Sequence, residues 1–411
     1  MRNNAAAAAR HDARVSATLA FLLLALLCLP IIVMAYDRHV HIVRWPLEAS
    51  GFPALRDFSN LWSGAIAALS GSFGRLFDKA QHADDLARLL NIPAPHLMWS
   101  YPPTAFIPAL PFALMPYAVA CVLWTVLGIG AYVWMSNAKA DMPSLVRLAA
   151  VALSPGVFLC VSYGQTALLT SAALAAGVVH ARTRPWLASV LFAALAAKPQ
   201  TAIVVPVALM ALRAWRAFFG TAALVAFYVF ATLALFGTAP WHLFFTITMP
   251  QQVEVLTASF FDHVLLISPF FVARGLGFDI AQAYVAQAAV TVLALGLVYV
   301  GLRREANERV QFLMIACAAL LVSPYMQAYE LPLLVLAASR IFADEATSAQ
   351  TGTAGLVVLA ASVTVLPFLT LAYFSKYGGN GTAFIPAVLL LVAVARTFVR
   401  NVRPLSAPAA A

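Results

Sequence analysis

In the stretch LRDF, residues 55–58, an arginine and an aspartate open an amphipathic run in a chain of which only 10% is charged. Asp57 admits two roles there. The plainer is a helix cap, whose carboxylate accepts from the first free backbone N–H groups. The other is a general base, and one carboxylate can do both. Arg56 favours the ionised form of Asp57 if the two side chains meet, although sequence neighbours do not face each other on a helix. Further polar side chains interrupt later apolar runs. SYGQT carries Tyr163 and Gln165, AAKPQT carries Lys198 and Gln200, and SPYMQAYEL carries Tyr325, Gln327, Tyr329 and Glu330. Each has a bland reading. A lysine at a helix end snorkels to the interface, a glutamine bonds one helix to the next, and a glutamate can be an ordinary interfacial charge. Lys198 precedes Pro199 at the tip of two short helices, which favours a cation held inside the outer leaflet.

A carboxylate in an outer loop, a buried cation and aromatic rims suit sugar transfer from a lipid-linked phosphate. A phosphate leaving group needs positive charge more than a proton donor. That is the role expected of Lys198, with Arg56 as the second cation. The acceptor hydroxyl needs one base as its oxygen attacks C1, the role expected of Asp57. Tyrosines supply stacking faces and hydrogen bonds at the membrane boundary, and a lipid tail has to enter sideways between helices.

The elements that position these residues follow from composition. The 411 residues are 63% hydrophobic, whereas a soluble domain is about 25% charged. An all-α, polytopic membrane bundle is expected, because long apolar runs without a two-residue alternation span lipid as helices. Val15–Tyr36 is the first span. Eleven more runs lie near 117–137, 144–162, 165–181, 186–197, 199–212, 216–237, 281–302, 309–323, 329–342, 352–374 and 382–399. With both termini cytoplasmic, sixteen of the 25 Lys and Arg residues but only six of the 16 acids fall inside, including Arg2, Arg10, Arg14, Lys139, Asp141 and Arg403. This fits the positive-inside rule and explains the net charge of +9 without nucleic acid. The short runs 186–197 and 199–212 are expected to form a tight pair turning at Lys198–Pro199. That turn keeps the basic clusters ARTRP and RAWR on one side. The four cysteines share no metal-ligand spacing and read as core residues.

The chain is thus expected to be one membrane domain over 1–411, with a first span (15–36), a large outer loop (37–116) and a bundle (117–399). In the loop, Phe58, Leu61, Trp62, Ala65, Ile66 and Leu69 mark one face of a helix lying on the membrane interface or on the bundle, which Gly71 and Gly74 should end. A second amphipathic stretch, DKAQHADDLARLL, precedes the Pro-rich return. Residues 101–116 are too short to span and suit a half-buried helix on the outer side.

The order of RDF, RLFD, YPPTAFIPALPFALMPY, GQ, KPQ and SPY…YEL resembles glycosyltransferase family 87 over roughly residues 50–340. The family's enzymes are of the GT-C fold, typified by polyprenol-phosphate-mannose-dependent α-mannosyltransferases. The resemblance implies a bundle of about 12 spans and a polyprenyl-phosphate sugar donor. It also implies a lipid or glycan acceptor and inverting transfer of a hexose, with mannose foremost. The site would face outward from a bacterial cytoplasmic membrane. Asp57 matches the family's catalytic base. Asp78, Tyr101, Tyr163, Gln165, Gln200, Tyr325, Tyr329 and Glu330 are the expected substrate-binding residues, and no metal or cofactor is implied. The family often has Tyr-Asp where Phe77–Asp78 stands, and Asp in place of Glu330. A transporter or flippase for lipid-linked sugars is the competing class. It would show internal repeats and helices broken near mid-membrane, whereas these polar residues collect at one face.

Overall fold

The computed structural model describes residues 15–16, 18–137, 142–257, 265–370 and 381–402. Arg2, Arg10, Arg14, Lys139, Asp141 and Arg403, used in the charge argument, lie outside them. The first apolar run is interrupted at Cys28 and resumes as Leu29–Ala35, with Pro30 in its first turn. A small antiparallel hairpin, β1 (Ile42–Arg44) and β2 (Leu47–Glu48), then leads into α1 (Arg56–Ser70). Gly71, at φ 68°, ends α1 alone, because Gly74 sits inside the next short helix, Phe73–Phe77.

The expected apolar face of α1 holds for Phe58, Leu61, Trp62 and Ala65, and lapses at Leu69, which is 55% exposed. Ser59, Asn60, Ser63 and Gly64 are buried too. Helix α1 is therefore packed inside the loop unit on more than one face. Gly64 is needed there, since an added Cβ would lie 2.1 Å from the Trp99 ring.

Asp78 caps α2 (Lys79–Leu90), accepting from the Gln81 N–H at 2.9 Å. One turn in, His82 Nε2 lies 2.8 Å from Asn60 Oδ1, while Asn60 Nδ2 donates to the Met98 carbonyl at 2.9 Å. An amide oxygen only accepts, so the neutral ring donates through Nε2. Burial pushes His82 down to about 4. Between its ordinary value of about 6.5 and 4, the unfolded chain binds a proton that the folded loop does not. Stability is thus fully present above pH 6.5 and falls by on the order of 3 kcal/mol as pH drops towards 4. Protection of 79–90, the exchange rate corrected for its intrinsic pH dependence, should fall as pH drops across that window in the wild type and stay flat in His82→Gln. An unchanged wild-type profile would contradict the assignment.

The Pro-rich return ends in α3 (Phe106–Ala113), short and half-buried as expected. Among the described residues, four helices are long and apolar enough to cross a membrane: α4 (Tyr117–Met135), Trp215–Phe236, Ile280–Arg304 and Ala346–Thr370. The pair Ser144–Ala152 and α5 (Pro155–Tyr163), bent by 57°, makes a fifth if it is one broken span. About twelve spans are expected from the apolar runs. The remaining described runs form helices of 10–17 residues, including α6 (Ala167–His180) and α7 (Pro185–Ala194), which continues as one 3₁₀ turn to Ala197. Two short helices, α8 (Glu308–Ala319) and α9 (Pro332–Ala343), are buried along almost their whole length and form the bundle's centre, as helices apolar on all sides must. The reversal at Lys198–Pro199 is present: Arg182 Nε donates to the Leu212 carbonyl at 3.0 Å, so the two basic clusters share one end.

Candidate active site

Leu55, not Asp57, precedes the first turn of α1, in the left-handed conformation at φ 53° and without a side-chain cap. Asp57 lies inside the turn. It is half-buried, and its Oδ2 accepts from Gln165 Nε2 at 2.7 Å. The cap reading is corrected accordingly: the Asp57 carboxylate reaches across to another element.

Gln165 arrives there because of its neighbour. Gly164 ends α5 at φ 66°, and a Cβ on it would lie 2.7 Å from Leu55 Cβ and 2.8 Å from Phe58 Cβ. Only glycine permits both the turn and the approach of α1. Trp124 Nε1 fixes the turn by donating to the Gly164 carbonyl at 3.0 Å.

The other face of the amide meets Lys198, whose Nζ donates to Gln165 Oε1 at 2.8 Å. Lys198 also forms an ion pair with Glu330, both side chains being buried. Thr104 Oγ1 pins the tip that carries Lys198 by donating to the Ala196 carbonyl at 2.7 Å. Glu330 sits in the turn Ala328–Glu330, which the Ala328 N–H ties to the Leu265 carbonyl at 2.7 Å. Aromatic rings floor the cluster. Lys198 Nζ lies 4.8 Å from the Tyr329 centroid, and the Arg56 guanidinium lies 3.7 Å from that of Tyr163 and 4.9 Å from that of Phe52. Tyr163 and Tyr329 are 6.1 Å apart. Tyr101 is buried.

Burial raises the Asp57 carboxyl, and Arg56, the Gln165 hydrogen bond and Lys198 pull it back. The amide keeps carboxylate and ammonium one residue apart, which couples them without direct neutralisation. Of the three Lys198 donors, Gln165 and Glu330 take two among the described residues. Arg56 has no carboxylate within ion-pair distance among the described residues. Its charge is the less committed of the two.

Lys198 and Tyr101 line one end of a groove of about 410 Å³ between α3, α4, α6 and α7. Its walls are apolar, with Leu61, Phe112, Leu127, Leu169 and Leu191 among them, and it reaches Trp134 and Met135. From Trp124 to Met135 it follows roughly 16 Å of α4, at 1.5 Å per residue. An anionic group with a long apolar tail matches this combination of cation and groove.

The model of glycosyltransferase family 87 matches residues 99–324, more than half of the chain. The chain belongs to glycosyltransferase family 87. Comparisons with curated proteins and with solved structures returned no match. In this glycosyltransferase the matched region holds Tyr101, Tyr163, Gln165, Lys198 and Gln200. Asp57 and Asp78 lie before it, and Tyr325, Tyr329 and Glu330 follow it.

Three expected residues of the glycosyltransferase stand apart from the cluster. Asp78 is exposed and engaged as the cap of α2. Tyr325 packs with a separate apolar group that contains Phe270, Phe271 and Tyr284. Gln200 follows Lys198 in the turn, and its Oε1 has no hydrogen-bond partner among the described residues. Two participants escape sequence reasoning. Tyr117, the last residue of the MPY motif, donates its hydroxyl to the Ala54 carbonyl and so anchors the entry to α1. Glu48, in PLEAS, is buried behind that entry. Its only signal is an acid in a loop segment rich in small and apolar residues.

Proposed function

We propose that this glycosyltransferase moves a hexose, mannose foremost, from a polyprenyl-phosphate donor to a lipid or glycan acceptor. The reaction takes place at the outer face of a bacterial cytoplasmic membrane, in a GT-C bundle of about twelve spans. The observation that carries this reading is the line Lys198–Gln165–Asp57 at one end of the apolar groove. The groove takes the polyprenyl tail, which leaves the phosphate beside Lys198 and within the field of Arg56. The acceptor hydroxyl approaches C1 on the side opposite the phosphate. Its oxygen forms the new bond to C1 as the C1–O bond to phosphate breaks with its electron pair, and the configuration inverts. Polyprenyl phosphate leaves as an anion held by the two cations, and the hydroxyl proton passes to Asp57. Tyr101, Tyr163 and Tyr329 give the sugar its stacking faces.

The test is to incubate the purified protein in lipid nanodiscs with a panel of polyprenyl-phosphate hexoses and a membrane lipid extract as acceptor. Consumption of one donor with release of polyprenyl phosphate is expected. A panel left intact under conditions where a nucleotide sugar is consumed would overturn the donor class.

A further inference from the structure

We infer that Gln165 positions the base: it pins Asp57 by Oδ2, leaves Oδ1 to take the proton, and binds no substrate itself. The catalytic consequence rests on the transferase reading above, and the positioning rests on the hydrogen bonds alone.

Gln165 is 7% exposed, and both ends of its amide are committed. Oε1 accepts from Lys198 Nζ at 2.8 Å, and Nε2 donates to Asp57 Oδ2 at 2.7 Å. These partners leave one orientation. Turned over, the amide would set its NH2 group against an ammonium and its oxygen against a carboxylate, so both contacts would repel. The backbone beneath is held as firmly. The Gln165 N–H donates to the Cys160 carbonyl at 2.9 Å, and Cys160 Sγ donates back to the Gln165 carbonyl at 3.5 Å. Gly164 and Trp124 fix the turn just before it. On the far side of the ammonium, Glu330 holds Lys198.

The two Asp57 oxygens are therefore unequal. Oδ2 gives a lone pair to the Gln165 N–H, whereas Oδ1 has no hydrogen-bond partner among the described residues. The acceptor hydroxyl loses its hydrogen to Oδ1 as its oxygen bonds to C1 and the phosphate departs with the C1–O electron pair. Lys198 strengthens the clamp, because an ammonium on Oε1 polarises the amide and makes Nε2–H the better donor.

The charged and titratable groups around Asp57 are Arg56 on its own helix, Glu48 in the hairpin, Tyr101 in the Pro-rich return, Tyr163 on α5, Lys198 at its turn and Tyr329 beside Glu330. Burial raises the Asp57 carboxyl, and the Gln165 hydrogen bond is one of the influences that lower it. Without that N–H, Asp57 holds its proton to a higher pH.

Gln165→Met fills about the same space without either hydrogen bond. Gln165→Glu keeps an oxygen for Lys198 and faces Asp57 with a carboxylate, so it serves where the methionine variant does not fold. Infrared difference spectra in nanodiscs, each against the same protein carrying Asp57→Asn, read the Asp57 carboxyl without any substrate. Its titration should move up by about one pH unit in Gln165→Met, the equivalent of one hydrogen bond to a charged group. It should move further in Gln165→Glu, where a like charge adds to the loss. The acid limb of kcat should follow, and kcat at its plateau should fall roughly ten- to a hundredfold. Donor KM should stay within about threefold of the wild type, since no ground-state contact to the donor is removed. A titration unchanged in both variants would overturn the inference whether or not transfer is detected. A raised donor KM with unchanged kcat would overturn it too, and make Gln165 a substrate ligand. Shifted titrations in a protein that consumes no donor would uphold the positioning and sink the transferase reading instead.

Discussion

Asp57→Asn folds as the wild type does and loses transfer by two to four orders of magnitude in kcat, the range expected for removing a general base. The fold survives because an asparagine oxygen can still accept the 2.7 Å hydrogen bond from Gln165 Nε2. No cap is lost, since the turn begins at Leu55 without a side-chain cap. The chemistry does not survive, because an amide oxygen takes no proton from the attacking hydroxyl. Asp57→Glu should retain partial activity at best, as an added methylene shifts the base by about 1 Å and such a shift costs about a hundredfold. In the wild type, the acid limb of the pH–rate profile should lie above the ordinary carboxylate value, since burial is the dominant influence on Asp57 and raises it. Thermal melting in nanodiscs checks the fold, and donor consumption under single-turnover conditions checks the chemistry. A variant that turns over at wild-type rate would remove Asp57 from the reaction.

Much of this arrangement is legible before any coordinates. The residues that break the apolar runs in SYGQT, AAKPQT and SPYMQAYEL meet because alternating helices return their tips to one end of a bundle, and a period of apolar and basic segments encodes that return. The tight turn at Lys198 is legible for the same reason, since one kinked span would have separated the two basic clusters. What stays hidden is pairing. Nothing in the spacing of Gln165, Lys198 and Glu330 says that the amide stands between ammonium and Asp57, or that Glu330 already occupies the ammonium. Those contacts join residues 33, 108 and 132 positions apart. The capping role of Asp78 is hidden for a different reason, because a cap and a ligand share the same residue type. The left-handed turn at Leu55 is invisible because φ is not written in the side chains. Span number is illegible where prolines and turns cut apolar runs into pieces of 10–17 residues.

Lys198→Met should both destabilise the protein and disable the donor site, and a second substitution separates the two effects. The methionine leaves Glu330, 2% exposed, without its ion-pair partner. An uncompensated buried charge of this kind costs about 3–5 kcal/mol. It also frees Gln165 Oε1, so the amide that holds Asp57 can turn. Adding Glu330→Gln removes the stranded charge, and the double variant should recover most of the lost stability. Transfer should not recover with it. The phosphate would meet no ammonium at the end of the groove, so donor KM should stay raised by at least tenfold, about 1.4 kcal/mol, the low end of what a hydrogen bond to a charged group contributes. Glu330→Gln alone gives the converse: Lys198 is released from its partner, and donor binding should tighten as the phosphate replaces the missing carboxylate. Melting temperature and donor KM measured on the four proteins of this cycle decide the matter. Parallel recovery of stability and transfer in the double variant would reduce Lys198 to a structural partner of Glu330, and the phosphate would then belong to Arg56, the cation stacked on Tyr163 with no carboxylate of its own among the described residues.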